Sequence, residues 1–180
     1  MPRYAALLRG INVGRHHRVA MADLRELLSD LGYSDVKTHL QSGNAIFTSR
    51  TQKPAKLALE IEKALRDKVG FSVRCLVWRR DELRAVLADN PLHRVGSDGS
   101  KMLALFLSDR PDPALLAAHD PRTLARDHIL VGERVVYQWC PDGILAAPNV
   151  GAFVEKNLKV AVTARNWDTV TRLAELISEP

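Results

Sequence analysis

Residues 36–49, Val36-Lys-Thr-His-Leu-Gln-Ser-Gly-Asn-Ala-Ile-Phe-Thr-Ser49, decide the fold. Val36–Gln41 and Ala45–Ser49 suit extended chain, and Ser42-Gly43-Asn44 between them tolerates positive φ, so the stretch predicts a β-hairpin. Upstream, Leu24, Leu27, Leu28 and Leu31 recur at i, i+3, i+4 and i+7, the stripe of an amphipathic helix, with Gly32 where a left-handed C-cap belongs. Before that helix, Tyr4–Arg9 is a short apolar run ended by Gly10, which reads as a buried strand followed by a loop from Gly10 to Val19. Downstream, Pro54 opens a second helix with Leu57, Ile61, Ala64 and Leu65 on one side, ending near Gly70. Phe71–Trp78 alternates partially and makes a fourth strand, giving the order βαββαβ.

Asp81–Leu87 reads as a linking helix, and the polar stretch Asn90–Ser100 as a boundary loop. Beyond it the order recurs: strand Met102–Leu107, helix Pro113–His119, hairpin strands Ile129–Val131 and Val135–Trp139, helix Ala152–Leu158, a strand around Val160–Thr163, and helix Trp167–Ile177. Glu62-Lys-Ala-Leu65 echoes Glu155-Lys-Asn-Leu158 at an offset of 93, and Trp78 echoes Trp167 at an offset of 89. The expected fold class is therefore α+β: duplicated ferredoxin-like βαββαβ units, antiparallel sheets with helices packed on one face. Residues 1–90 form the first half with its linking helix, residues 91–180 a second, diverged half, and the two are expected to make one compact unit. With strand order 4-1-3-2 and right-handed crossovers, the end of the first strand lies beside the hairpin turn.

Three segments carry a resemblance. Leu8-Arg9-Gly10-Ile11-Asn12-Val13-Gly14 with Met21-Ala-Asp-Leu24, then Leu40-Gln41-Ser42-Gly43-Asn44-Ala45-Ile46-Phe47, and finally Thr163-Ala164-Arg165-Asn166-Trp167-Asp168-Thr169 resemble the domain of unknown function 1697 family of uncharacterised bacterial proteins. Its typical loop has a second glycine where this chain has Arg15 and usually lacks the paired His16 and His17. Its closing motif usually has a second Thr in place of Ala164. The resemblance implies an α+β protein with a duplicated ferredoxin-like unit and no established activity.

The 180 residues are 46% hydrophobic and 26% charged, the range of an ordinary globular chain. No apolar run approaches the roughly 20 residues that span a bilayer, and the N-terminus does not read as a signal peptide, so the expectation is a cytoplasmic protein with no membrane partner. Charge is uneven: residues 1–90 hold 16 Lys and Arg against 10 Asp and Glu, residues 91–180 hold 10 against 11. Arg3, Arg9, Arg15 and Arg18 all precede the first acid, Asp23. Such a patch attracts an anionic small molecule or a nucleic-acid backbone. A bias toward arginine in coding, 18 Arg against 8 Lys, accounts for the same excess.

Topology converges Arg9, Asn12, Gln41, Ser42 and Asn44, a guanidinium fork, amides and a hydroxyl suited to an anion. Arg165 completes the candidate ligand-binding set if the two halves form a cleft. The competing structural reading has Asn12 and Asn44 capping turns and Ser42-Gly43 closing the hairpin. Gly10-x-x-x-Gly14 lacks the Gly-Lys-Ser/Thr ending of a phosphate loop. The Arg15-His16-His17-Arg18 tract reads either as a phosphate contact or as a solvated loop. His16, His17 and His39 have no ligand spacing, so neither metal nor cofactor is expected. Cys75, between Val73 and Val77, and Cys140 read as inert thiols. No general base or nucleophile stands out, and catalytic residues stay unassigned. The first and third strands carry only Tyr4 and Phe47, too few aromatics for an RNA-recognition face. The leading expectation is binding of a small anion or nucleic-acid phosphate in a polar cleft. The alternative is a structural or protein-interaction module, a homo-oligomer joined through a sheet face or the final helix.

Overall fold

The computed structural model describes residues 1–50 and 53–179. The protein is α+β, with two four-stranded antiparallel sheets and, among the described residues, six α-helices. The first sheet holds β1 (Arg3–Arg9), β2 (Ser34–His39), β3 (Asn44–Thr48) and β4 (Arg74–Arg79) in the order β2-β3-β1-β4. The second holds β5 (Met102–Leu107), β6 (Ile129–Val131), β7 (Val135–Trp139) and β8 (Val162–Asn166) in the order β6-β7-β5-β8. The helices are α1 (Met21–Asp30), α2 (Pro54–Val69), α3 (Arg80–Ala88), α4 (Pro113–Ala118), α5 (Val150–Leu158) and α6 (Trp167–Ser178). No helix among the described residues is long and apolar enough to cross a membrane.

The chain divides into two compact units, Met1–Arg84 with the C-terminal segment from Leu173, and Ala85–Arg172. The division falls inside α3 and α6. In the first unit one face of the sheet, Tyr4, Ala6, Leu8, Ala45, Phe47, Cys75 and Val77, packs against Leu24, Leu27 and Leu28 of α1 and Leu57, Ile61 and Leu65 of α2. Burial of these side chains is the main driving force for the unit. The C-terminal end of α6 is tied to β2 by Lys37 Nζ on Glu179 Oε2 at 2.7 Å. In the second unit Leu105, Leu107, Val136 and Val162 of the sheet pack with Val150, Val154 and Leu158 of α5.

Apolar residues on the other face of each sheet are buried too. Ala5, Leu7, Ile46, Leu76 and Trp78 are buried on the first sheet, and Met102, Ala104, Phe106, Val135 and Tyr137 on the second. The apolar stripe of α6, Trp167, Val170, Leu173, Leu176 and Ile177, is buried as well.

Four elements depart from the expected limits by two residues or more: β2 runs Ser34–His39 where 36–41 is expected, β4 starts at Arg74 where Phe71 is expected, and β8 and α5 also shift. β8 lies later than expected because its register against β5 runs from Leu107–Val162 to Leu103–Asn166. α5 starts at Val150 because Asn149 Oδ1 accepts from the Ala152 N–H at 3.0 Å, an N-cap that satisfies a first-turn donor.

The Glu-Lys-x-Leu echo has a structural meaning. Glu62 Oε1, on α2, accepts from the backbone N–H of Cys75 at 2.8 Å, and Glu155 Oε1, on α5, accepts from that of Val162 at 3.0 Å. Cys75 lies opposite Leu8 on β4, and Val162 lies opposite Leu107 on β8. Both strands are sheet edges, where an N–H pointing outward has no strand partner, and in each unit a helix carboxylate supplies one. Removing either carboxylate, as Glu62→Ala or Glu155→Ala, is expected to cost about 1–2 kcal/mol of stability in denaturant titrations, and the two losses should be alike. A neutral result for either variant would show that the edge N–H finds water at no cost.

Candidate functional site

The candidate site is built where β1 ends beside the β2–β3 turn. Leu7 pairs with Asn44, and the Leu8 N–H donates to Gly43 O at 2.8 Å, so the turn closes directly over the end of β1. Ile11, the residue after Gly10, is buried beneath it.

Asn12 then organises the loop. Its φ of 55° lies in the left-handed region, which Asn tolerates better than most residues. Its backbone N–H donates to His17 O at 3.0 Å, closing a ring of residues 12–17. Its side-chain Oδ1 accepts from the Val19 N–H at 2.9 Å, and Nδ2 donates to Val19 O at 2.8 Å and to Gln41 O at 2.7 Å. The carboxamide acts as an extra peptide group that pairs with Val19 and stitches the loop to the hairpin turn. Both of its N–H donors are occupied, so Asn12 positions the loop.

Asn44 is fully buried. Its Nδ2 donates to His39 O at 2.8 Å and to Ser42 Oγ at 3.0 Å, closing the turn from inside. Its side chain does not meet solvent and holds the turn. Arg165 is buried on β8 of the second unit, opposite Ala104, where Nη1 donates to Ala164 O at 2.8 Å. Its neighbour Asn166 caps α6, accepting from the Thr169 N–H at 3.0 Å.

The groups that do meet solvent are Arg9, Gln41 and Ser42, together with the loop residues Val13–Arg18. His17, φ 54°, lays its ring 4.7 Å from that of Phe71, which anchors the loop to the segment before β4. Val13 on one side of the Asn12–Gln41 bond and Leu40 on the other are exposed by 73% and 54%, well above what packing alone would leave. Leu40, with φ 60°, is a left-handed aliphatic residue at the turn, a conformation held only because its surroundings impose it.

Register adds a residue absent from the expected set. Arg9 on β1 lies directly opposite Arg74 on β4. Like charges opposite one another on an antiparallel pair repel, and Glu62 Oε1, 3.8 Å from Arg74 Nη1, partly offsets that repulsion. Antiparallel pairing between strands some sixty-five positions apart is the signal that finds Arg74, and it needs the register. The two thiols are buried, and burial pushes that of Cys140 above its ordinary range. Tyr4 and Phe47, the aromatics of the two central strands, are stacked inside the core at 5.7 Å.

If the Asn12 carboxamide holds the loop, Asn12→Ala should speed tryptic cleavage after Arg15 and Arg18 by about tenfold, the effect of losing roughly 1–2 kcal/mol of local protection. Peptide mapping during limited digestion checks this. Cleavage at the wild-type rate would leave Asn12 without its assigned role.

Comparison with known proteins places the architecture. A family model described as "Protein of unknown function (DUF1697)" matches residues 1–137. Among solved structures, the conserved bacterial protein SP0830 from Streptococcus pneumoniae is similar with a TM-score of 0.69 and 22% identity, covering 98% of this chain and 99% of that one. That likeness concerns the fold. No curated protein matches the chain.

Proposed function

The chain belongs to the DUF1697 family, and from the geometry of its first unit we propose that it binds a phosphate-bearing polyanion, a nucleic-acid backbone in particular, on the loop that follows β1. The observation that carries this reading is the placing of Arg9 opposite Arg74 at the base of an exposed loop that adds Arg15 and Arg18. Guanidinium groups brought together on one face make a positive patch, and phosphates neutralise it while releasing counterions. Arg forks and the Gln41 and Ser42 side chains suit phosphate oxygens, and the exposed Val13 and Leu40 offer apolar contact to a sugar or base. Because the groups lie along an exposed loop, an extended chain of phosphates fits better than a single enclosed anion. Asn12 and Asn44 act through the loop and turn they hold. In this reading the protein works in the cytoplasm, where its free thiols stay reduced.

The same reading holds that the units are two copies of one ferredoxin-like βαββαβ element. Equivalent strand orders support it, as do the paired carboxylates of Glu62 and Glu155 at matching register positions. The copies differ where function is placed. The first has the long loop between Arg9 and Met21, whereas in the second α4 begins at Pro113, soon after β5 ends at Leu107.

Fluorescence anisotropy with a labelled single-stranded oligonucleotide at low salt tests the proposal. Binding should weaken steeply as salt rises, and Arg9→Ala, Arg15→Ala and Arg18→Ala should each weaken it and lower the salt slope by about one contact. Absence of binding at low salt, or unchanged affinity in all three variants, would remove this function.

A further inference from the structure

A second basic feature lies at the opposite end of β1. A cavity of about 230 Å³ is lined there by Pro2, Arg3, Arg79, Arg80 and Asp81. Topology creates it, because Tyr4 pairs with Arg79 and so brings the start of β1 beside the end of β4, where α3 begins at Arg80. Three arginines and one aspartate line it, and the aspartate is engaged by Arg79 Nε at 3.1 Å. The first turn of α3 is closed by Glu82 Oε2, which accepts from the Arg79 N–H at 2.8 Å.

Arg3 supplies the independent observation. Its Nε is sealed from solvent and donates to no group among the described residues. Buried donors are almost always paired, so one left open beside a cavity of like charge calls for an acceptor.

We propose that this cavity is a binding site for a small phosphate-type oxyanion, inorganic phosphate or the head of a phosphomonoester. An oxyanion seated among Arg3, Arg79 and Arg80 relieves the crowding of three positive charges, and a turn of the Arg3 side chain toward it brings Nε the acceptor it lacks. Size sets the class: the cavity is smaller than the roughly 300–1,000 Å³ that drug-sized ligands occupy, so it takes a head group and leaves any remainder outside. Phosphate also offers more oxygens than a carboxylate, enough to engage three forks at once. The site is separate from the loop after β1, since seven strand residues at about 3.3 Å each put the two ends about 20 Å apart.

A ¹H–¹⁵N NMR titration with inorganic phosphate, reading the arginine Nε–H resonances, tests this site. The Arg3 Nε–H resonance should shift and saturate, and acetate at equal concentration should leave it in place. Arg3→Gln should weaken phosphate binding by at least about tenfold, the loss expected for a charge-assisted bond. Arg3 is half-buried, so Arg80→Gln, at an exposed position, is the second variant and should also weaken binding. Arg15→Ala, in the other basic region, should bind phosphate as the wild type does. Phenyl phosphate run in parallel separates the sources: tighter binding than inorganic phosphate assigns a phosphomonoester, weaker binding assigns the free ion. No saturable shift at Arg3, equal affinity in Arg80→Gln, or an equal response to acetate would overturn the proposal. Loss of oligonucleotide binding with phosphate binding intact would count against the loop alone.

Discussion

Gly43 lies so close to the end of β1 that a β-carbon there would stand 2.7 Å from Ile11 Cδ1 and 2.8 Å from Leu8 Cβ. Its φ of +86° is itself a conformation that side chains oppose, so both geometry and space demand glycine at this point. The contact draws the hairpin turn down onto Leu8 and Ile11. Once it is made, Gln41 O comes within reach of Asn12, and the Asn12 carboxamide can bind turn and loop together. Arg15 and Arg18 of the proposed surface sit on the loop held by that arrangement. Of the eleven residues with positive φ among those described, six, Gly10, Asn12, Gly14, His17, Leu40 and Gly43, fall in these two segments.

The second unit shows what the same sheet does without this device. Its strand order is equivalent, and Leu107 N–H donates to Arg134 O at 3.0 Å much as Leu8 N–H donates to Gly43 O. Yet a charged Arg134 stands at the turn, and a six-residue spacing between the end of β5 and the start of α4 leaves no room for a comparable loop. Edge protection by Glu62 and Glu155 is kept in both units, as expected for an interaction that serves folding. The loop chemistry is kept in only one.

Periodicity and turn residues made the order of the elements and the helix faces readable, because 3.6- and 2-residue repeats report burial directly. The hairpin at Ser42-Gly43-Asn44 and the leucine stripe of α1 are examples. Side-chain roles were less readable. Asn12 and Asn44 look in sequence like groups offered to a ligand, but an amide's donors can be taken up by nearby carbonyls, and only the local path of the backbone decides it. Arg165 is hidden for a similar reason: a charged residue flanked by Ala164 and Asn166 gives no periodic sign of being inside. Arg74, and the meeting of Arg3 with Arg79 and Arg80, depend on the register of strands far apart in the chain. A shift of one residue would turn those side chains to the other face.

Amide hydrogen exchange at Asn12 and Val19 tests most directly whether the close contact at Gly43 organises the loop. In the wild type both amides, bonded to His17 O and Asn12 Oδ1, should be protected. In Gly43→Ala they should exchange at least about tenfold faster while amides of α2 keep their protection. Unchanged protection at both positions in a folded Gly43→Ala protein would contradict the account.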